Sequence, residues 1–207
     1  LGSNSASKQE FLLGRMGQEY LYGGVFDDLI DGGGGDDQLF GSNGNDILNG
    51  GSGEDFLDGG TGEDTADYRG AVGVIVNLEN PNLNTGDAIG DNYSYIENLY
   101  GSSSSDHLTG NNFANRLSGD SGDDTLVGKA GDDTLDGGDD VDTLTGGFGR
   151  DELTGGAGAD VFRFSDEDRI DAQLFKNDTI TDYSMADGDY IDLTSVFAGL
   201  NWSSSDI

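Results

Sequence analysis

From Gly14 to Asp67, and again from Gly101 to Arg163, a glycine returns every nine residues. The first run holds six contiguous units, starting at Gly14, Gly23, Gly32, Gly41, Gly50 and Gly59. The second holds seven, starting at Gly101, Gly110, Gly119, Gly128, Gly137, Gly146 and Gly155. Counting glycine as position one, position eight is apolar in every unit, from Leu21 and Ile30 to Leu153 and Phe162. Position six is aspartate in all but two units, where Glu19 and Asn115 stand. Such a unit offers a turn and about three residues of strand, too little to bury a core alone. Stacked copies can do so, each adding one inward side chain to a thin shared core. Glycine supplies the left-handed backbone and the close approach of neighbouring turns that stacking needs. The period therefore predicts an all-β chain of repeats and excludes a helical one.

Charge narrows the partners. Acids outnumber bases 41 to 9, for a formal charge of −32, so nucleic acid and anionic membranes would be repelled. The natural counterions are cations. Cysteine is absent and His107 is the single histidine, which argues against zinc and copper. Acids recurring at strand spacing of about 4.8 Å would repel one another without a cation between them. Calcium takes about six to eight oxygens from carboxylates and carbonyls and suits a carbonyl-rich turn better than magnesium. No stretch approaches a membrane-spanning helix, so membrane insertion is not expected. The opening LGSNSASKQE has neither Met nor a signal-peptide pattern, and the chain reads as a piece of a longer protein.

The units GGSGEDFLD (residues 50–58) and GGAGADVFR (residues 155–163) resemble the RTX nonapeptide, a calcium-binding repeat. The resemblance implies a parallel β-roll with two nonapeptides per coil. Alternate units then stack, giving one column of Asp28, Asp46 and Asp64 and another of Asp37 and Asp55. In the second block Asp106, Asp124, Asp142 and Asp160 form one column, and Asn115, Asp133 and Asp151 the other. On this reading Asp64 ends its column.

The resemblance also implies a ligand set: the acid at six with carbonyls of two and four, then the carbonyls of one and three and the acid from the turn above. One site is then Gly33, Gly35, Asp37, Gly50, Ser52 and Asp55, and a second is Ser42, Gly44, Asp46, Gly59, Thr61 and Asp64. A third is Gly138, Asp140, Asp142, Gly155, Ala157 and Asp160. The same carry-over places Gly24, Phe26, Asp28, Gly41 and Asn43 below Asp46, and Ser102, Ser104, Asp106, Gly119 and Ser121 below Asp124. It places Asp120, Gly122, Gly137 and Asp139 between Asp124 and Asp142, and Lys129, Gly131, Asp133, Gly146 and Phe148 below Asp151. Lys129 offers a carbonyl and need not abolish its site. Phe26, Ser104, Phe113 and Asp140 depart from glycine at position four. The Glu19–Asp37 and Asn115–Asp133 sites are expected to be weak or empty. In all, roughly six to nine calcium ions are expected.

The register is lost over residues 68–100. Val72, Val74, Val76 and Leu78 alternate as a strand, and Asn92 to Tyr100 reads as a worn nonapeptide with Glu97 at six and Leu99 at eight. Asp87 and Asp91 are candidates for one further calcium. The expected organisation is an N-terminal cap or linker (1–13), a first roll (14–67), an insert (68–100), a second roll (101–163) and a C-terminal capping segment (164–207) whose native end is missing. That last segment resembles the stretch after the rolls of serralysin-type proteases and the R-modules of mannuronan C5-epimerases.

No catalytic constellation emerges. GDSG at Gly119–Gly122 is accounted for by the repeat, and His107 should face solvent. Tyr93, Tyr95, Tyr100, Tyr183, Phe197 and Trp202 are candidates for a sugar platform, though caps and core use such residues more often. The reading is a non-catalytic, monomeric module that folds on binding calcium; the resemblance implies that it belongs to a larger bacterial protein and folds outside the cell after type I secretion. Two alternatives stand beside it: an adhesin or polysaccharide-binding module, and an accessory module of a secreted epimerase, protease or lipase.

Overall fold

In the computed structural model, which describes residues 9–164 and 178–197, the chain winds into a parallel β-solenoid. One face is a nine-stranded sheet built from Phe11–Met16, Leu29–Gly34, Ile47–Asn49, Thr65–Asp67, Asn98–Tyr100, Arg116–Ser121, Thr134–Asp139, Glu152–Ala157 and Thr179–Ile180. The other face is divided. Tyr20–Gly24, Gln38–Asn43, Phe56–Thr61 and Asn92–Ser94 form a four-stranded sheet. Ile75–Asn77, His107–Thr109, Thr125–Ala130, Thr143–Phe148, Val161–Arg163 and Tyr190–Asp192 form one of six strands. Within each run of repeats, partners lie two units apart, as in Leu39↔Leu57 and Leu126↔Leu144.

The alternation explains the core. Strands such as Thr125–Ala130 bury every second residue, because side chains point to opposite faces of a strand. Position eight is the inward place: Ile30, Leu39, Leu48, Leu57, Leu108, Leu117, Leu126, Leu135, Leu144, Leu153 and Phe162 are all fully buried. Each buried leucine contributes about 1.5–3 kcal/mol, an upper estimate because the unfolded chain is itself partly collapsed. At the N-terminal end Leu12 and Leu21 pair with Ile30 and Leu39 on one side, have no strand partner on the other among the described residues, and are partly exposed.

The insert leaves the nine-stranded sheet whole. Thr65 pairs directly with Asn98, so two repeat blocks share one uninterrupted wall. On the other face Phe56 pairs with Asn92 and Ile75 with His107. The insert thus closes one sheet with Asn92–Ser94 and opens the next with Ile75–Asn77. Val74 and Val76 are buried, but Val72 is 85 % exposed, because the strand begins only at Ile75. Asn92–Ser94 stands beside Phe56–Asp58, at positions seven to nine of a unit, and not at positions one to three as the worn-nonapeptide reading has it. Only Tyr95 and Ile96 remain to make the turn before Glu97. At the far end, Thr179–Ile180 and Tyr190–Asp192 add one further coil above Glu152–Ala157 and Val161–Arg163. Trp202, the side chain of Phe197 and the chain's last residues lie outside the described residues.

Candidate metal centre

The acids at position six sit in the bends that join turn to strand, and they form three columns. In each, one carboxylate oxygen accepts the backbone N–H of the acid one coil below. Asp28 donates to Asp46 Oδ1 at 2.7 Å, Asp46 to Asp64 Oδ1 at 2.7 Å, and Asp64 to Glu97 Oε2 at 2.9 Å. The same column resumes with Asn115 to Asp133 and Asp133 to Asp151, and ends with Asp151 to Asp178. A second runs Glu19–Asp37–Asp55–Asp91. The third runs Asp106–Asp124–Asp142–Asp160–Asp189. The predicted stacking is therefore present. The expectation that Asp64 ends its column is not: Glu97 comes next, because the insert leaves this wall intact. Asp64 is a mid-column residue like Asp142.

The second carboxylate oxygen is the informative one. Oδ2 of Asp28, Asp37, Asp46, Asp55, Asp64, Asp124, Asp133, Asp142 and Asp160 is buried and accepts no hydrogen bond. A buried acceptor without a donor costs about 1–3 kcal/mol, and more for a charged group. Burial pushes the carboxyls of Asp46, Asp55 and Asp64 up to about 6, and those of Asp124, Asp133 and Asp142 up to about 7. The donated N–H pulls each one down, while neighbouring acids such as Asp28, Asp37, Asp106 and Asp160 push up.

The glycine at position one shows where these oxygens point. A methyl carbon on Gly32 would lie 2.6 Å from Asp37 Oδ2 and 2.7 Å from the Gly50 carbonyl oxygen. On Gly23 it would meet Asp28 Oδ2 at 2.6 Å and the Gly41 oxygen at 2.7 Å. Carboxylate and carbonyl oxygens from successive coils thus converge beside a backbone with no side chain, a donor set of hard oxygens that fits calcium. Among the described residues no three His, Asp or Glu side chains gather at one point. A metal on these edges must take much of its coordination from carbonyls.

Most departures from glycine at positions two and four sort into two kinds, with Arg15 apart from both: it is not left-handed, yet its carbonyl oxygen lies 2.6 Å from the Cβ place of Gly33. Ser42, Asp120 and Lys129 at position two, and Asp140 at position four, adopt left-handed φ of 86°, 80°, 84° and 79°. Their carbonyls keep the glycine direction: Ser42 O, Asp120 O, Lys129 O and Asp140 O each lie closest to the Cβ place of the residue one coil above, as Gly33 O does for Gly51. Lys129 also pairs its Nζ with Glu79 of the insert. Phe26, Ser104 and Phe113 are not left-handed, and there the carbonyl carbon or next nitrogen packs as near to the turn above as the oxygen does. At these three turns the peptide is rotated; side-chain size does not decide which turns are left-handed, since Ser42 and Lys129 are and Ser104 is not.

Some predicted ligands are satisfied by the protein itself. Asp106 accepts from Val74 N–H and the Ser102 hydroxyl on Oδ1, and from Ser102 N–H on Oδ2. Asn115 donates its amide to the Glu97 carbonyl and accepts from Asn111 N–H. Asp91 accepts from Asp55 N–H on one oxygen and from the Tyr68 hydroxyl on the other, at 2.7 Å. Tyr68 also meets the Tyr93 hydroxyl at 2.6 Å. The column at Asp91 therefore closes on a buried tyrosine, and the insert calcium considered for Asp87 and Asp91 loses its main ligand. Of the aromatics considered for a sugar platform, Tyr100 is covered by Arg69, 4.9 Å above its ring, and Tyr183 packs near Phe162. His107 is exposed, as expected.

Sequence reasoning missed Asp178 and Asp189 as column members, and Glu10, whose N–H meets Asp28 Oδ1. Each precedes an apolar residue by two places (Leu12, Ile180, Ile191), the six–eight spacing of the repeat without its glycines.

Stacked parallel coils with oxygen-lined turn edges define a calcium-binding β-roll. The family model of the RTX calcium-binding nonapeptide repeat matches the chain in four copies, at residues 13–48, 32–66, 100–135 and 136–168. These cover more than half of the chain, which belongs to that hemolysin-type RTX repeat family and is a calcium-binding module. No curated protein matches it.

Proposed function

We propose that this chain is a calcium-gated folding module of a larger secreted bacterial protein, without catalytic function of its own. It stays extended where calcium is scarce, passes a type I secretion channel and folds outside. The observation that carries this reading is the set of buried carboxylate oxygens without a donor. Folding without a cation must either leave those charges buried or protonate them, and a cation removes the penalty. The repeat family supports the secretory half. Stacked sites couple, so folding should be cooperative in calcium. The ions number roughly six to nine, each with an affinity of about 10⁻⁴–10⁻³ M, the range of extracellular modules.

A chain that must thread a channel is expanded before export. Small-angle scattering in chelator should give a radius of gyration of about 50 Å, the value for an unfolded chain of this length. With millimolar calcium it should fall toward about 17 Å, somewhat larger for an elongated solenoid. A compact chain in chelator would sink the proposal.

A further inference from the structure

The acid column crosses the insert at one place, between Asp64 and Glu97, and both Glu97 and its neighbour Tyr95 lie outside every matched repeat. Four of the five non-glycine residues with left-handed φ stand at turn positions assigned a ligand carbonyl. The fifth is Tyr95, φ 50°, in a turn cut from five residues to two. A bulky residue held there is strained by about 1–3 kcal/mol, which the surroundings must enforce. The strain turns the Tyr95 carbonyl toward Gly59. A methyl carbon on Gly59 would meet Tyr95 O more closely than one on Gly41 would meet Gly59 O, at 2.6 Å. Tyr95 O thus takes the place that a position-one carbonyl takes elsewhere. Asp64, fully buried, has its unpartnered Oδ2 in the same turn, and its Cγ would lie 2.6 Å from that methyl.

The geometry points to a calcium site outside the repeat pattern, formed by Asp64 Oδ2, the Tyr95 carbonyl and the Glu97 carboxylate, that fastens the first repeat block to the second. It rests on the calcium reading of the repeats. The carbonyls of Gly60 and Gly62, at positions two and four of the same turn, complete the protein's share. Tyr95 itself is 69 % exposed, so water reaches the edge of the site. The sequence hides this site because its halves are 33 residues apart instead of 18.

Native mass spectrometry at saturating calcium counts the ions. Glu97→Gln keeps an acceptor for the Asp64 N–H and removes the charge; it should bind one ion fewer than the parent chain, with unchanged β circular dichroism. Glu63→Gln, the same charge change on an exposed neighbour off the column, should bind the full number. Tyr95→Pro fixes φ near −65° and should lose the same single ion. A full count in both Glu97→Gln and Tyr95→Pro overturns the site while leaving the repeat sites standing. A parent chain that binds no calcium overturns the underlying reading instead.

Discussion

Gly137→Ala should abolish one calcium site and raise the calcium needed for folding, although it adds only a methyl group. Gly137 has ordinary backbone dihedrals, so alanine meets no conformational objection there. Its methyl would lie 2.6 Å from the Gly155 carbonyl oxygen and nearer still to Asp142 Oδ2. That space lies between the two oxygens a cation would join. Overpacking a well-packed interior costs about 1–3 kcal/mol, and the lost ion adds to it. Gly70→Ala is the control, because nothing lies within 4 Å of the added carbon. Isothermal titration should show one site fewer and a higher midpoint for Gly137→Ala, and parental behaviour for Gly70→Ala. Equal curves for the two would show that the glycine edge is packing and not a metal site.

Asp142→Asn should change stability in opposite directions with and without calcium. Asp142 Oδ1 accepts the Asp124 N–H at 2.8 Å, and its own N–H donates to Asp160. Asparagine can keep both bonds, so the loss is confined to charge. In calcium the variant loses a ligand that serves the sites above and below it. In chelator it loses a buried charge whose protonated form burial favours, with the carboxyl pushed up to about 7. The pH dependence has the same sign. A carboxyl whose folded pKa is raised stabilises the folded state fully below about pH 4, its unfolded value. That contribution is lost as pH rises through about 6 to 7, where Asp46, Asp55, Asp64, Asp124, Asp133 and Asp142 titrate. The parent chain in chelator should therefore gain β-structure as pH falls from about 7 toward 4, protons standing in for calcium. Asp142→Asn should gain it at a higher pH. A variant less folded than the parent in both media would contradict the assignment. Because Glu97 continues the column, Asp64→Asn should behave as Asp142→Asn does, and not more mildly as an end residue would.

The repeat made most of this legible, for a physical reason. When each unit stacks on the unit two before it, the partner of any residue comes from counting, and Leu48 and Leu57 fall in the core by their place in the unit alone. The acid columns emerge likewise. Counting fails where the chain leaves the count. Asp91 meets Asp55 across 36 residues and is quenched by Tyr68, an arrangement set by the insert's path and not by any local pattern. Glu97 was visible as an acid two places before a leucine, and Asp64 as a column acid, but that the two stack on each other was not. Asp178 and Asp189 carry the acid–x–apolar spacing with no glycine to announce it. Carbonyl direction was the least legible feature. It differs between Lys129, which is left-handed, and Phe113, which is not, and residue type alone does not announce it, since Ser42 is left-handed and Ser104 is not.

Calcium, and not the leucine core alone, is expected to hold the roll together. Far-UV circular dichroism at pH 7.4, titrated from excess chelator to about 10⁻² M calcium, tests it most directly, since that range spans the affinities of extracellular calcium modules. A mostly disordered spectrum in chelator, turning cooperatively to β-structure as calcium is added, is the predicted result. A β spectrum that is complete in chelator and unmoved by calcium would contradict it.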